Sequence, residues 1–166
     1  MKSDELITRL GHKFFTDARD VLNTPRAQER FFVGQRDAAQ LQTVLRTTEL
    51  DEPMLVARLV DLEARRARTI EKQLDLMRQH DETPDPSGIK DARERAKAFD
   101  DRERVLRQLQ LLADGTLLAA PGVTYERLDY IDERIAALKE KITALRARHA
   151  AAVAEAEALL AEPVSR

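Results

Sequence analysis

From Leu128 onward, side chains of one kind recur at alternating spacings of three and four residues without a miss. The positions are Leu128, Ile131, Ile135, Leu138, Ile142, Leu145, His149, Ala152, Ala156 and Leu159. Nine of the ten are apolar, and His149 is the exception. A 3,4 alternation averages 3.5 residues, close to the 3.6-residue turn of an α-helix, so all ten project from one side of a single helix. A repeat sustained this long requires a second apolar surface along its whole length, and coiled-coil packing is the form that supplies one. With Thr124 as cap and Pro163 as stop, the segment predicts a helix of about 38 residues, roughly 57 Å long.

The rest of the chain agrees with that bias. Alanine occurs 24 times and leucine 22, against five glycines and six prolines in 166 residues. Ala, Leu, Glu, Arg and Gln lose little rotamer freedom on a helix, and no stretch shows sustained strand alternation. The expected fold is all-α: an antiparallel helical bundle of about five helices with a long C-terminal coiled-coil helix. Proline and glycine set the expected boundaries. Helix one runs from Ser3 or Asp4 to Leu22. Helix two runs from Pro25 to about Thr47, with Thr24 as cap and Gly34 as a point where it can split. Helix three follows Leu50-Asp51-Glu52-Pro53 and reaches His80, with a seam of Leu55, Leu59, Leu62, Ile70, Leu74 and Met77 that Arg66 interrupts. Residues 81–88, DETPDPSG, form a loop. Helix four, capped by Ser87, ends at Asp114-Gly115, and its seam is Ile89, Ala92, Ala96, Phe99, Leu106 and Ala113. Thr116–Gly122 is a connector expected to tuck against the bundle. Residues 1–80 and 89–166 would be two helical halves of one domain, joined by the 81–88 loop.

Length sharpens this picture. Helices three and four come to about 40–43 Å each, so helix five outruns an antiparallel neighbour by roughly 15 Å. The excess, the Ala-rich end of the helix, must be covered either by helices one and two or by another chain. If helices one and two fold back on each other, Phe14 and Phe15 meet Phe31 and Phe32. That would gather four of the five phenylalanines into one core cluster or one docking patch.

Charge is dense but balanced: 28 basic and 30 acidic side chains give a net charge of −2. Arg127, Arg134, Lys141 and Arg148 recur every seven residues beside the helix-five seam, with Lys139 and Arg146 on its other flank. A parallel homodimer of this helix would oppose like charges, so antiparallel intrachain contacts or a different partner are expected. The cations either drape their stems over the seam or meet an acidic partner. His149, polar in an apolar seam, can set register and make assembly pH-sensitive if buried. Asp61–Arg65, Asp91–Arg95, Asp100–Arg104 and Glu103–Arg107 are acid-before-base pairs one turn apart.

Chemistry-bearing patterns are sparse. Without cysteine there is no disulfide framework, thiolate nucleophile or Cys-ligated metal. His12, His80 and His149 stand at no metal-binding spacing. The acid clusters Asp100-Asp101-Glu103 and Asp129-Asp132-Glu133 resemble a Mg²⁺ site only in composition, and no phosphate loop or G-x-S-x-G accompanies them. Arg58, Arg65, Arg68 and Lys72 form a stripe on helix three, but that helix and its loop are net negative and lack aromatic platforms. No cofactor, metal, membrane span or small-molecule substrate is expected, and nucleic acid is a minor alternative. The absence of a signal-peptide core points to the cytoplasm, and the excess of Arg over Lys with a single Asn points to a high-GC bacterial genome.

The expected function is non-catalytic. The chain would be a structural component, adaptor or assembly factor, self-associating or binding a protein partner. Its expected contact residues are Leu128, Ile131, Ile135, Leu138, Ile142, Leu145 and His149 of the seam, with Arg127, Arg134, Lys141 and Arg148. A small helical nucleic-acid-binding regulator and a metal-dependent all-α hydrolase are the alternatives.

Overall fold

The computed structural model describes residues 2–16 and 25–162. Four α-helices account for most of them: α1 (Ser3–Gly11), α2 (Pro25–Glu82), α3 (Ala92–Asp114) and α4 (Leu128–Ala161). A π-helical turn, His12–Thr16, extends α1, and a 3₁₀ turn, Pro86–Gly88, precedes α3. Helix dominates, as the composition requires. The expected restart at Asn23-Thr24 and the stop at Pro163 lie outside the described residues.

The count of helices differs from the sequence expectation because α2 runs unbroken through the expected boundary at Leu50–Pro53, and past Gly34. Gly34 does not split it. A Cβ there would stand 2.5 Å from Phe14 Cε1, so the glycine lets the Phe14 ring lie against the helix backbone. Pro53 sits inside the helix and removes the N–H that would reach the Glu49 carbonyl. Both residues are exposed, so water can take that carbonyl. The inward line continues past the proline, with Leu45 and Thr48 buried before it and Leu55 half-buried after it.

The chain divides into two compact units, residues 1–57 with 139–166 and residues 58–138. In the first, Leu6, Leu10 and Phe14 meet Phe31, Ala38, Leu41 and Leu45 of α2 and Ala152 and Ala156 of α4. The Phe14 and Phe31 rings lie 6.3 Å apart, while Phe15 and Phe32 are exposed, so the aromatic pairs meet but only half of the cluster is core. Polar anchors fix α1 and the turn after it. Gln42 Nε2 donates to the Ile7 carbonyl and Gln35 Nε2 to the Phe14 carbonyl, each at 2.8 Å. Lys13 Nζ donates to the carbonyls of Leu159 (2.6 Å) and Glu162 (2.5 Å), closing the C-terminal end of α4, where unpaired carbonyls favour a cation.

In the second unit, Leu62 packs with Ile131 and Ile135, flanked by Leu59 and Leu138. Further along, Leu76 packs with Val105 and Leu112, flanked by Leu109, Leu117 and Tyr125. Residues 83–91 turn the chain so that α3 returns along α2. Asp91, rather than Ser87, caps α3 by accepting from the Arg93 and Glu94 N–H groups, each at 2.9 Å. Gly115, at φ 75°, ends it. In the connector beyond, only Leu117 tucks against the core; the rest is an exposed two-stranded hairpin, β1 (Leu118–Ala120) and β2 (Val123–Thr124). Pro121 and Gly122 make its turn, and Gly122 takes the positive φ of 74° that a type II turn needs.

The inward lines of two helices are shifted from expectation. On α3 the buried residues are Ala98, Val105 and Leu112, each one position before Phe99, Leu106 and Ala113. On α2 beyond Pro53 they are Leu62, Thr69 and Leu76, so Leu74 and Met77 point outward and Ile70 is only half-buried.

Candidate functional site

All ten seam positions of α4 are buried or half-buried, and nearly everything between them is exposed. The helix begins at Leu128, three residues later than a Thr124 cap would start it. Leu128 and Leu138 are half-buried, and Ile131 and Ile135 are buried against Leu62. Ile142 is buried and Leu145 half-buried. Ala152 and Ala156 lie in the core that α1 and α2 build, with Leu159 packed against it. Within the chain, α1 and the first part of α2 cover the end of this helix.

His149 is half-buried and bridges three helices. Its Nδ1 lies 2.8 Å from Thr48 Oγ1, and its Nε2 lies 3.3 Å from Ser3 Oγ. Both hydroxyls belong to buried residues. Thr48 Oγ1 also lies 2.8 Å from the Val44 carbonyl, so its proton has a backbone acceptor while its lone pairs face the imidazole.

The cations beside the seam are largely matched by acids of the same chain. Arg127 forks onto Asp129, with Nε–Oδ1 at 3.1 Å and Nη2–Oδ2 at 2.5 Å. That pairing raises the arginine pKa and holds the Asp129 carboxyl below its ordinary range. Arg134 lies 3.4 Å from Glu126 and 5.8 Å from the centre of the Tyr130 ring. Arg146 meets Glu52 at 2.6 Å. Lys141 and Arg148 are exposed and make no ion pair among the described residues. On α2, Arg66, which interrupts the expected seam, bonds Asp132 at 2.6 Å, and Arg65 holds both Asp61 and Glu126. Lys13 is lowered in pKa by burial, with Glu162 opposing the shift.

The acid clusters are partly engaged in the same way. Asp129 and Asp132 serve arginines, and Asp101 pairs with Arg104 at 3.2 Å, where the sequence pattern suggested Asp100. Among the described residues no three metal-ligating side chains converge, and no helix is long and apolar enough to cross a membrane.

What sequence reasoning missed is an outward apolar face on the second unit. Leu74 (60% exposed) and Met77 (47%) on α2, and Phe99 (56%) and Leu106 (47%) on α3, lie open. Leu74 also lines an open groove of about 930 Å³ along α2, with Ala67 and Ile70 among charged walls and Tyr125 at its side. The signal for it lies in the two shifted seams, whose spacing does not say which side faces the core. No family model matches this chain, nor does any curated protein or solved structure.

Proposed function

We propose that this chain acts by contact rather than by chemistry, as a non-catalytic helical scaffold or assembly component built of antiparallel helix pairs. The observation that carries this reading is the exposure of Leu74, Met77, Phe99 and Leu106 on regular helices whose inward faces are already filled. Apolar side chains aligned on a rigid surface mark a protein-contact site, because leaving them in water forgoes the stabilisation that burial gives. The charge balance supports it: 28 basic against 30 acidic side chains leave little net positive field to attract nucleic acid. In this reading the α4 seam, with Arg127 and Arg134, is the internal frame, and Lys141 and Arg148 are solvated cations on its outer side. The protein would work as an oligomer or with a protein partner, in the cytoplasm of a bacterium.

The test is native mass spectrometry of the tagged chain recovered from its source cell. The expected spectrum shows assemblies heavier than the 18.9 kDa single chain. A spectrum containing only that single chain would overturn the proposal.

A further inference from the structure

The outward residues follow a simple rule. Phe99 and Leu106 each come directly after a buried residue, Ala98 and Val105, and Ile70 and Met77 come directly after Thr69 and Leu76. One residue is a rotation of about 100° on a helix. On two helices that run in opposite directions and face each other, that rotation leads to the same side. The apolar stripes of α2 and α3 therefore share one side of the pair.

The charges along the outer edge of the α3 stripe alternate at seven-residue intervals: Arg93, Asp100, Arg107, Asp114. Read in the reverse direction, this series is its own charge complement. Glu71 and Arg78 repeat the device at the edge of the α2 stripe. Among the described residues, Asp100 and Arg107 form no ion pair within the chain.

From this self-complementarity we infer that the face is occupied by a second copy of the same chain, the two copies related by a two-fold axis that crosses α3 near Glu103. Antiparallel α3 helices in this register set Asp100 opposite Arg107 of the second copy, and Arg93 opposite Asp114, each pair occurring twice. Ala96 then meets Ala113, which permits close approach. Phe99 lies over the stem of Gln110, and Leu106 over that of Glu103. Shifting the register by one heptad opposes Asp100 to itself, or Arg107 to itself, so the charges select one alignment. An isologous contact of this kind closes on itself and gives a dimer rather than a fibre.

The inference rests on the protein-contact reading and commits it to one partner. Sedimentation of the purified full-length chain across the micromolar range tests it, with circular dichroism confirming that each variant keeps its helicity. The wild-type chain should sediment as a dimer. Phe99→Asp should sediment as a monomer. Asp100→Arg and Arg107→Asp should each weaken the dimer by about tenfold or more, because each change opposes like charges twice. The double variant D100R/R107D restores opposite charges and should recover wild-type association. A wild-type monomer, or single charge variants that associate as well as the wild type, would overturn the second copy as occupant. If heavier assemblies from cells contain only one copy of this chain beside another protein, the second copy falls while the contact reading stands.

Discussion

Gly34 carries more of the fold than its side chain of one hydrogen suggests. In an exposed helix interior, Gly→Ala stabilises by about 1 kcal/mol because alanine restricts the unfolded chain. Here the added methyl would meet the buried Phe14 ring at 2.5 Å. Gly34→Ala should therefore reverse the usual sign and cost about 1–3 kcal/mol, the range for overpacking. Urea unfolding followed by circular dichroism reads the sign directly. His149 makes a second case in which the environment reverses a generic expectation. A histidine in an apolar seam suggests that leucine would stabilise. The imidazole, however, is the partner of Ser3 Oγ and Thr48 Oγ1, both on buried residues. Removing it leaves the Ser3 hydroxyl without that partner, and an unmatched buried hydroxyl costs on the order of 1 kcal/mol. His149→Leu should lower the denaturation midpoint, and S3A/H149L should lose less than the sum of its single changes. A gain in stability for His149→Leu would show that the polar bridge contributes nothing.

Proline 53 shows how a local rule fails when tertiary packing opposes it. Read alone, Leu50-Asp51-Glu52-Pro53 stops one helix and starts another. The structure keeps α2 continuous because the side chains before and after the proline belong to one inward line, and the lost hydrogen bond falls on the solvent side. Pro53→Ala should therefore restore a helix-interior bond and stabilise by about 1–3 kcal/mol, measured as a shift in urea midpoint. A chain that broke at Pro53 would respond little or lose stability. The turn between α2 and α3 carries a pH signature. Asp85 accepts from the Ser87 N–H and hydroxyl, and these bonds hold its carboxyl below the ordinary 3.8, with Arg102 adding to the shift. A depressed folded pKa means stability present above the unfolded value and lost as pH falls through the folded one. The stability difference between wild type and Asp85→Asn should be constant at neutral pH and shrink only below about 3.8. Acid titration of both, followed by circular dichroism, measures it. The elements were legible where one signal acted alone: the α4 repeat, the Gly115 stop and the 81–88 loop, which the structure places at 83–91. They were illegible where two apolar stripes lie side by side. Val105 with Leu106, and Leu111 with Leu112, satisfy a seam in either phase, and only contact with α2 selects Val105 and Leu112. The hairpin at 118–124 escaped notice because strands of three and two residues are too short to show alternation.

The contact face was hidden by the same ambiguity that misplaced the seams. Phe99, Leu106, Leu74 and Met77 were recognised as an apolar set, but a pattern of spacing carries no sign for inward or outward. The sign comes from the partner helix, which a sequence does not display. The α4 repeat, in contrast, stood in only one phase, and all ten of its positions turned inward. Its Ala-rich end shares a core with α1, whose Leu6 and Leu10 are fully buried beside Ala152 and Ala156. Both units contain a stretch of α2 and a stretch of α4, and this has an energetic consequence. Extending a helix adds a hydrogen bond for each residue fixed, whereas starting one anew is unfavourable. Melting one unit would end both helices internally and remove that advantage, so the two units should unfold in one transition. Leu45→Ala, in the first unit, and Ile131→Ala, in the second, each empty a fully buried site and should cost about 2–5 kcal/mol. Hydrogen exchange then distinguishes the outcomes. With shared helices, Leu45→Ala lowers amide protection around Ile131 and Ile135 as much as around Leu41. Loss of protection confined to the first unit would mean that α2 and α4 do not couple the two cores.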